Sequence, residues 1–509
     1  MKRVFPVAAV VFLIFGVPVF SSSYRINSVS YNITGMTRSS VIERNVEVDR
    51  TTIFPDENAL AAYLRDYTQQ LENTRFFEEV KVDYTTTSPD SDDFCLVSLT
   101  VNLKDSFHFV GVPYPKYDSN SGFILKLKLK DTNFLGSMNS MSSDINFALK
   151  QDSEDEPLST VLGFNFLFDY PFSLNSFDAT WSNDYSLSYT IGKYSPEWKA
   201  MTGLTVSVPI SRRCSVDLSL DQGSNRNFDY SKYGDDTYFT ESSKLSIPTV
   251  LQRVEDWGNV YYTPYVSANY YWDFDGISSD DSDFYGPRAA IGQTISTSRI
   301  NWENNYRNGV SASTTQSFTY NFTRDTLAPK FSIEVKAYKG WKYTGFCTDV
   351  YFFTSVNDTE KIGGRLRGIR DDQYFNSSYT NNKKTYGDTY ACSTPSALVV
   401  NLDLPVHLFS TNFIKNRLFS KLNFEAQVSP FVDFALFNNV ATGSNFDYKD
   451  GFYCAGLEGI VYPTKWRSIQ IRGSIGVDLG RLLLKKWINT DWRDSVSTYE
   501  ISVGVGLAY

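Results

Sequence analysis

One short stretch combines residue types that could bind a charged group: Ile362-Gly363-Gly364-Arg365-Leu366-Arg367-Gly368-Ile369. Its glycines and paired arginines favour a folded loop over a strand or a helix. A guanidinium held at the tip of such a loop can grip a carboxylate with two parallel hydrogen bonds. Taken alone, the stretch favours ordinary solvated arginines, because Arg-Gly pairs are common in loops. It lies in a long polar loop, about residues 355–393, between two strand-like segments.

The chain offers little for enzymatic chemistry. His108 and His407 are its only histidines, and no serine occupies a G-x-S-x-G turn. The five cysteines form no C-x-x-C or metal-spaced cluster; they are Cys95, Cys214, Cys347, Cys392 and Cys454. We therefore expect a non-enzymatic protein without a metal or a cofactor. In an oxidising compartment Cys392 could pair with Cys347 or Cys454, and the odd number leaves at least one thiol outside internal disulfides.

The N-terminus predicts export, and the composition predicts a membrane barrel. Lys2 and Arg3 precede an apolar run and a serine triplet, the pattern of a signal peptide over residues 1–23. No later apolar run is long enough for a transmembrane helix. Phe, Tyr and Trp nevertheless reach 16% of the 509 residues, while mean hydropathy is −0.29. That combination is typical of a transmembrane β-barrel, with a large soluble array of β-sandwiches as the alternative. A net charge of −9 disfavours nucleic acid as a partner.

Residues 24–104 predict a small α/β module. Arg25–Ile33 alternates as a strand, and Ser39–Val46 can form a short helix. A second helix opens at Pro55-Asp56 and carries an apolar face made of Leu60, Tyr63, Leu64, Tyr67 and Leu71. Strands at Phe76–Val82 and Phe94–Leu103 complete the order β-α-α-β-β.

Residues 105–509 alternate between apolar and polar side chains with period two. In the last segment one face carries Tyr499, Ile501, Val503, Val505, Leu507 and Tyr509. Strands of about ten residues with one apolar face suit an antiparallel barrel wall that contacts lipid. Short connections alternate with long polar loops, which is the habit of outer-membrane barrels. The pattern predicts 16 strands, or 18 if the pair near 236–250 and 258–273 belongs to the wall rather than to a loop hairpin.

Several motifs resemble those of the BamA/TamA outer-membrane assembly superfamily. The order of elements in residues 24–104 resembles a POTRA domain, the periplasmic module that precedes such barrels. Asp131-Thr132-Asn133-Phe134-Leu135-Gly136-Ser137 resembles the turn after the second barrel strand, and Asp169-Tyr170-Pro171-Phe172 is similar to a later turn. Leu366-Arg367-Gly368-Ile369 resembles the sixth-loop motif, in which the last position is usually Phe or Tyr. The tail with Val503, Gly504, Leu507 and Tyr509 matches the C-terminal sorting signal of barrel proteins.

The resemblance implies that the loop dips into the lumen and that its arginine pairs with an acid on a later wall strand. Leu422–Leu436 fits that strand, and Phe431-Val432-Asp433-Phe434 resembles the family's Phe-x-Asp-x-Gly, with Ala435 at the last position. Because strand side chains alternate, Asp433 falls on the inward face. We therefore predict a loop-to-wall lock made by Arg367, Gly368 and Asp433. The alternative is that Asp433 merely lines a wet lumen.

The resemblance also implies a function: a bacterial outer-membrane factor, with its N-terminal module in the periplasm, that inserts or translocates polypeptides without nucleotide. Its partners would be unfolded outer-membrane proteins or secreted polypeptides, membrane lipid and accessory lipoproteins. A two-partner-type secretion transporter is one alternative, although it usually carries two POTRA domains and a plug helix. The mitochondrial sorting and assembly barrel is another, against which the signal peptide argues. A passive porin or adhesin would need neither the loop nor the module.

We predict that the terminal aromatic residue is read as a sorting signal. Tyr509→Asp, or deletion of Tyr509, removes the aromatic ring that ends the apolar stripe at the membrane interface. The variant should be degraded in the periplasm, and its amount in fractionated outer membranes should fall severalfold on immunoblots. Tyr509→Phe keeps the ring and should accumulate normally. Normal amounts of Tyr509→Asp would contradict the sorting role.

Overall fold

The computed structural model describes residues 23–87, 94–118, 122–150, 159–174, 177–192, 195–226, 237–254, 256–272, 287–369, 378–379, 384–385, 393–411, 422–439, 442–490 and 498–505. Residues 1–22 of the predicted signal peptide lie outside these ranges, as do Cys392, Leu507 and Tyr509. The signal peptide, the disulfide of Cys392 and the complete sorting signal therefore stay predictions.

The first part of the chain, residues 23–105, is a four-stranded sheet with two helices, called here the N-terminal module. Its elements are β1 (Ser23–Thr34), α1 (Ser39–Asn45), β2 (Ile53–Phe54), α2 (Glu57–Asn73), β3 (Phe77–Thr86) and β4 (Phe94–Asp105). The strand order is β2-β1-β4-β3, and only the central pair, β1 with β4, is parallel. The sequence pattern did not predict β2, because two residues carry no periodicity.

Helix α2 supplies much of the core of the N-terminal module. Asp56 caps the helix, since its Oδ1 accepts a hydrogen bond from the backbone N–H of Ala59 at 2.7 Å. The buried residues of the helix share one face and are Leu60, Leu64, Tyr67 and Leu71. Burial of a leucine stabilises a fold by about 1.5–3 kcal/mol, so this face fixes the helix on the sheet. Within the described ranges, no helix is long and apolar enough to cross a membrane.

The rest of the chain forms one antiparallel barrel. Up to the long loop its strands are β5 (Phe109–Asp118), β6 (Gly122–Asp131), β7 (Met141–Lys150), β8 (Ser159–Leu174), β9 (Phe177–Thr190), β10 (Glu197–Ser211), β11 (Cys214–Arg226), β12 (Thr237–Ser246), β13 (Thr249–Val254), β14 (Gly258–Trp272), β15 (Arg288–Glu303), β16 (Tyr306–Asn321), β17 (Thr326–Gly340) and β18 (Gly345–Ser355). The loop contains β19 (Glu360–Lys361), β20 (Ser378–Tyr379), β21 (Lys384–Thr385) and β22 (Ser393–Thr394). After it come β23 (Ser396–Asp403), β24 (Val406–Ser410), β25 (Phe424–Asn439), β26 (Ser444–Asn445), β27 (Phe452–Pro463), β28 (Ile471–Asp478), α3 (Leu479–Leu482) and β29 (Tyr499–Val505).

The described residues form 18 wall strands. β12 and β13 pair with the same two neighbours and act as one strand that is broken at Pro248, and β23 and β24 likewise make one strand against β25. β26 only extends the hairpin that follows β25. The order of the sheet closes with β29 beside β5. The predicted barrel is confirmed, and of the two predicted strand counts the larger one holds, because β12–β13 and β14 belong to the wall.

The two faces of the wall differ as the alternation predicts. Large apolar side chains are exposed on the outward face, for example Leu125 on β6, Ile291 on β15 and Ile501 on β29. On β25 the inward residues Gln427 and Asp433 are buried instead. An apolar outer band around a polar interior is the arrangement that a barrel wall takes in lipid.

One predicted turn is wrong. Asp169-Tyr170-Pro171-Phe172 lies inside β8, where Asp169 pairs with Ser182 and Phe172 with Ala179 on β9. The pairing of β8 with β7 ends at Phe168, so this end of the strand pairs with β9 alone. Proline is tolerated in such an edge-like segment, and its turn signal was therefore misleading. The first barrel strand runs from Phe109 to Asp118.

Candidate functional site

Part of the long loop, Ile362–Ile369, lies inside the barrel and is called here the loop tip. Its apolar side chains pack against the inner wall. At the base of the loop, Glu360 of β19 pairs with Thr394 of β22. Ile362, Leu366 and Ile369 are at most 3% exposed. They share one cluster with the wall residues Tyr351, Phe353, Ala397, Val399, Ala435, Phe437, Phe452 and Cys454. Ile369 thus supplies apolar packing at the position where the motif that this stretch resembles usually has an aromatic residue.

The guanidinium of Arg367 lies between two carboxylates. Its Nε and Nη2 donate to the two oxygens of Asp433 at 2.9 and 2.6 Å, and Nη1 donates to Oδ1 of Asp403 at 2.6 Å. The backbone N–H of Arg367 also donates to Asp433 Oδ2, at 2.9 Å. The Cζ atom stands 3.8 Å from the centre of the Phe431 ring. Asp433 is fully buried, so this is a shielded, bidentate ion pair with a cation–π contact.

Strand register explains why these partners meet. β23 and β25 are antiparallel neighbours, and Asp403 is paired with Phe431 while Asn401 is paired with Asp433. Paired residues share a face of the sheet, so both carboxylates and the Phe431 ring lie within one patch of the inner wall. The loop tip needs only to place Arg367 over that patch.

A neighbouring ion pair balances the charge. Glu458 accepts from Nη2 of Arg472 at 2.6 Å, and the same carboxylate lies 3.9 Å from Nη1 of Arg367. Glu458 is buried on β27, next to Arg472 on β28. Three carboxylates around one arginine would repel one another, and the second guanidinium offsets that repulsion.

Glycine lets the backbone of the loop tip touch the wall. Gly368 has a φ of +117°, and a Cβ there would stand 2.9 Å from the backbone nitrogen of Val477. A Cβ at Gly476 on β28 would stand 2.5 Å from the carbonyl oxygen of Arg367. The N–H of Gly368 donates to Oε2 of Glu500 on β29 at 3.1 Å. The loop tip therefore contacts the last two strands of the barrel directly.

Arg365 holds the opposite side of the loop tip. Its Nη1 donates to Glu334 on β17 at 3.0 Å, and its Cζ stands 3.5 Å from the centre of the Tyr351 ring on β18. Its carbonyl accepts from Nδ2 of Asn401 at 2.8 Å. Together with Arg367 and Gly368, this residue links the loop tip to strands from β17 to β29.

Part of this site was predicted from the sequence. The structure brings Arg367, Gly368 and Asp433 together at one point, while the role of this contact as a lock stays a prediction. The sequence pattern did not predict the other residues of the site, because alternation shows which face a residue lies on but not which residues of neighbouring strands are paired. These residues are Asp403, Glu458, Arg472, Gly476 and Glu500. Gly476 had a further signal, since a glycine inside a strand often marks a close backbone approach.

The first predicted turn joins the barrel to the N-terminal module. Asn133 is buried and donates from Nδ2 to the Thr37 hydroxyl at 2.7 Å. Gly136 has a φ of +70°, and its carbonyl accepts from the N–H of Arg38 at 3.1 Å. A Cβ at Gly136 would stand 1.9 Å from the carbonyl oxygen of Met36, so only glycine fits.

The other residues of the two predicted turns have separate contacts. Asp131 contacts Nδ1 of His108 at 2.6 Å, and the ring of Phe134 lies 5.5 Å from that of Phe168. Arg38 donates to the Tyr170 hydroxyl at 3.2 Å and to the carbonyl of Pro171 at 3.5 Å. The Phe172 ring stacks near that of Tyr170, and the structure assigns no site to Asp169. In the tail, Val503 is exposed on the outward face, and Gly504 pairs with Arg472.

The N-terminal module lies against one mouth of the barrel. Asp66 on α2 forms ion pairs with Arg299 on β15, at 2.6 Å, and with Arg253 on β13, at 3.4 Å. Asn73 at the end of α2 accepts from the N–H of Trp302 at 2.9 Å. On the far side of the mouth, Glu78 pairs with Lys465 in the turn after β27. These contacts reach several separate points of the rim.

Among the module residues that form these contacts with the rim, Arg75 is the most deeply buried. It donates to the carbonyl of Arg467 at 2.7 Å and to Oδ1 of Asn305 at 3.0 Å. Its Cζ stands 4.4 Å from the Trp302 ring and 5.7 Å from the Tyr462 ring. Its φ of +58° is rare for a side chain other than glycine, asparagine or aspartate. Burial lowers the pKa of Arg75 to about 10, which leaves it charged at neutral pH.

The loop tip and the wall strands line a cavity in the lumen. The cavity has a volume of about 350 Å³. Arg365 and Arg367 line it on the side of the loop tip, and Trp302 and Tyr462 line it on the side of Arg75. The lumen is thus covered at two levels, by the loop tip inside the barrel and by the N-terminal module at one mouth.

Comparisons with known proteins give only distant matches. No protein-family model matches the sequence, and no curated protein matches it significantly. CdiB from Acinetobacter baumannii is 13% identical, with 96% of this chain and 74% of that chain covered and a TM-score of 0.49. CdiB from Escherichia coli is 10% identical, with 96% and 91% covered and a TM-score of 0.39. BamA from Haemophilus ducreyi lacking POTRA domains 1–3 is 13% identical, with 95% and 84% covered and a TM-score of 0.35. TM-scores below 0.5 at these identities do not carry a function over to this chain.

We predict that Arg367 and Asp433 act as one unit. Removing one partner leaves the other charge buried without its counter-ion, which costs roughly 3–5 kcal/mol for a fully shielded pair. Arg367→Ala and Asp433→Ala should each expose the loop to protease, with Arg367→Ala the more severe because Asp403 also loses its partner. The double variant should show far less than the sum of the two defects.

The control for this prediction is Asp358→Ala, which removes an exposed carboxylate from the same loop and should leave proteolysis unchanged. Timed proteolysis of the full-length protein in detergent measures all four variants. Additive defects, or unchanged protection in both single variants, would identify Arg367 as an ordinary loop arginine.

We also predict that Arg75 holds the N-terminal module over the mouth. Arg75→Asn suits the test because asparagine tolerates the left-handed backbone, so the change reports on the lost side chain. Losing a charge-assisted hydrogen bond costs on the order of 2 kcal/mol, and the module should loosen. Single-channel conductance in planar bilayers should then rise above that of the wild type. Arg65→Ala, an exposed change on α2, should leave the conductance unaltered. Equal conductance for Arg75→Asn would contradict the prediction.

Proposed function

We propose that this chain is an outer-membrane barrel of the BamA/TamA-like kind, which inserts or translocates polypeptides without nucleotide, cofactor or enzymatic chemistry. The observation that carries the proposal is the loop tip, which is fixed inside the barrel by Arg367 and reaches the last strand through Gly368 and Glu500. A loop that only faced solvent would not need a buried ion pair at its end.

Connection lengths support an orientation for the protein. The connections at the mouth covered by the N-terminal module include Asn304-Asn305 and Arg212-Arg213, which are two residues each. The opposite end carries the long loop from Ser355 to Ser393. Membrane barrels place short turns toward the periplasm and long loops outside, so we infer that the module is periplasmic and acts as a POTRA-like domain.

The same contacts suggest how the barrel would work. Its closing strands are β29 and β5. A last strand whose position depends on the loop tip is suited to release an edge for an incoming strand. Pairing of that edge with a client strand and burial of the client's apolar surface in lipid would drive insertion downhill.

The alternatives differ in what they require of the lumen. A passive porin needs an open path, whereas here the loop tip lies inside the barrel and the module covers one mouth. A secretion transporter of the two-partner type remains compatible with the same barrel, since a polypeptide could pass once both covers move. Only the identity of the polypeptides that depend on the protein separates these two roles.

We predict that depletion of the protein lowers the amounts of several unrelated barrel proteins, as measured by quantitative mass spectrometry of outer membranes. Wild-type protein should restore them, and Arg367→Ala should restore them poorly because its loop tip is unanchored. Loss of one secreted polypeptide with unchanged barrel proteins would instead support a secretion transporter. Unchanged barrel and secreted proteins would contradict both roles.

A further inference from the structure

A chain of polar side chains lies on the outward face of the wall. The Tyr262 hydroxyl donates to Oε1 of Gln293 at 3.0 Å, and Nε2 of Gln293 donates to Oε1 of Gln316 at 3.1 Å. Gln293 lies on the same face of β15 as Ile291 and Ile295, which are 60% and 42% exposed. Gln316 is paired with Gln293 and therefore shares that face. The amides thus sit within the apolar band of the wall.

The last amide of this chain has unused hydrogen-bonding capacity. Gln293 is the one side-chain partner that the described part of the protein gives to Gln316. Both hydrogens of the Gln316 amide and one lone pair of its oxygen remain available. Lipid tails offer no acceptor, and an amide N–H that faces hydrocarbon without one is unfavourable.

The amides border a groove in the outer wall. It has a volume of about 420 Å³, and its apolar lining includes Leu245, Ile247, Val266, Ile291 and Phe318. The groove lies where the combined strand β12–β13 is broken at Pro248, and at this break the N–H of Ile247 donates to the carbonyl of Pro264 at 3.1 Å. The wall therefore offers a concave apolar surface with a polar group at its border.

We propose that a second copy of this chain docks on this groove, related by a two-fold axis along the membrane normal. Two copies in one membrane necessarily hold Gln316 at the same depth. A primary amide is both donor and acceptor, so two Gln316 side chains can close a reciprocal pair of hydrogen bonds across such an axis. The apolar residues of the groove then surround this pair and exclude lipid from it.

Other occupants of the groove would satisfy the hydrogen-bonding groups of the Gln316 amide less well. The carbonyl and phosphate oxygens of a phospholipid lie at the membrane interface rather than level with Ile291 and Ile295. The backbone acceptors of an unrelated barrel are engaged in its own sheet. Polar side chains are the groups that join membrane segments to one another, and a second copy brings one of the right type.

Disulfide cross-linking in intact membranes tests the dimer. Thr314 lies two residues from Gln316 on the same face of β16, so Thr314→Cys should give a dimer-sized product under copper–phenanthroline oxidation. The yield should exceed severalfold that of the wild type and of Ile145→Cys, an exposed outward position on β7. Adding Gln316→Leu, which removes the amide but keeps an apolar side chain, should lower the yield severalfold.

Heat-modifiable migration on gels shows whether each variant is a folded barrel in the membrane, which separates failure of the dimer from failure of the proposed membrane placement. Among folded variants, a yield for Thr314→Cys no higher than for Ile145→Cys would overturn the proposal and leave the groove to lipid. A yield unaffected by Gln316→Leu would overturn it as well. So would a product whose mass is not twice that of the chain.

Discussion

A guanidinium between two carboxylates inside a barrel is the interaction on which the rest of this structure depends. The apolar anchor of Ile362, Leu366 and Ile369 can hold the loop tip against the wall, but apolar contact is non-directional and does not fix orientation. The forked geometry of Arg367 on Asp433 does fix it. Desolvating these charges is unfavourable, and the arrangement persists because Asp403, Glu458 and Arg472 complete the network.

From that point the loop tip determines the position of the last two strands. Gly368 and Gly476 approach each other backbone to backbone, and a side chain at either position would collide with the backbone of the other segment. The bond from Gly368 to Glu500 extends the same constraint to β29. If Arg367 is displaced, the close fit at β28 and the hydrogen bond at β29 are lost together. The ion pair is therefore connected to the last two strands through adjacent residues only. These are Arg367, Gly368, Gly476 and Glu500.

Much of the architecture could be predicted from the sequence, and the exceptions have physical causes. Period-two alternation predicted the barrel and placed Asp433 inside. The face on which a residue lies follows from the alternation along the strand, so it stays the same when the ends of the strand are predicted wrongly by several residues. The partner Asp403 depends on the register between β23 and β25, which alternation does not determine. Arg75 was missed because its importance comes from a left-handed backbone and from rings on distant strands. The turn at Pro171 was predicted wrongly because proline suits both a turn and the end of a strand that is paired on one side only.

The two covers of the lumen, the loop tip and the N-terminal module, differ in the kind of force that holds them. The loop tip combines a buried ion network with an apolar cluster, so its release exposes both charge and apolar surface. The N-terminal module is held largely by rim contacts such as Asp66 with Arg299, and partly exposed ion pairs of this kind contribute about 0–1 kcal/mol each. Arg75 is the exception among them. If the chain translocates polypeptides as proposed, a polypeptide arriving from the side of the module would meet the more weakly held cover first.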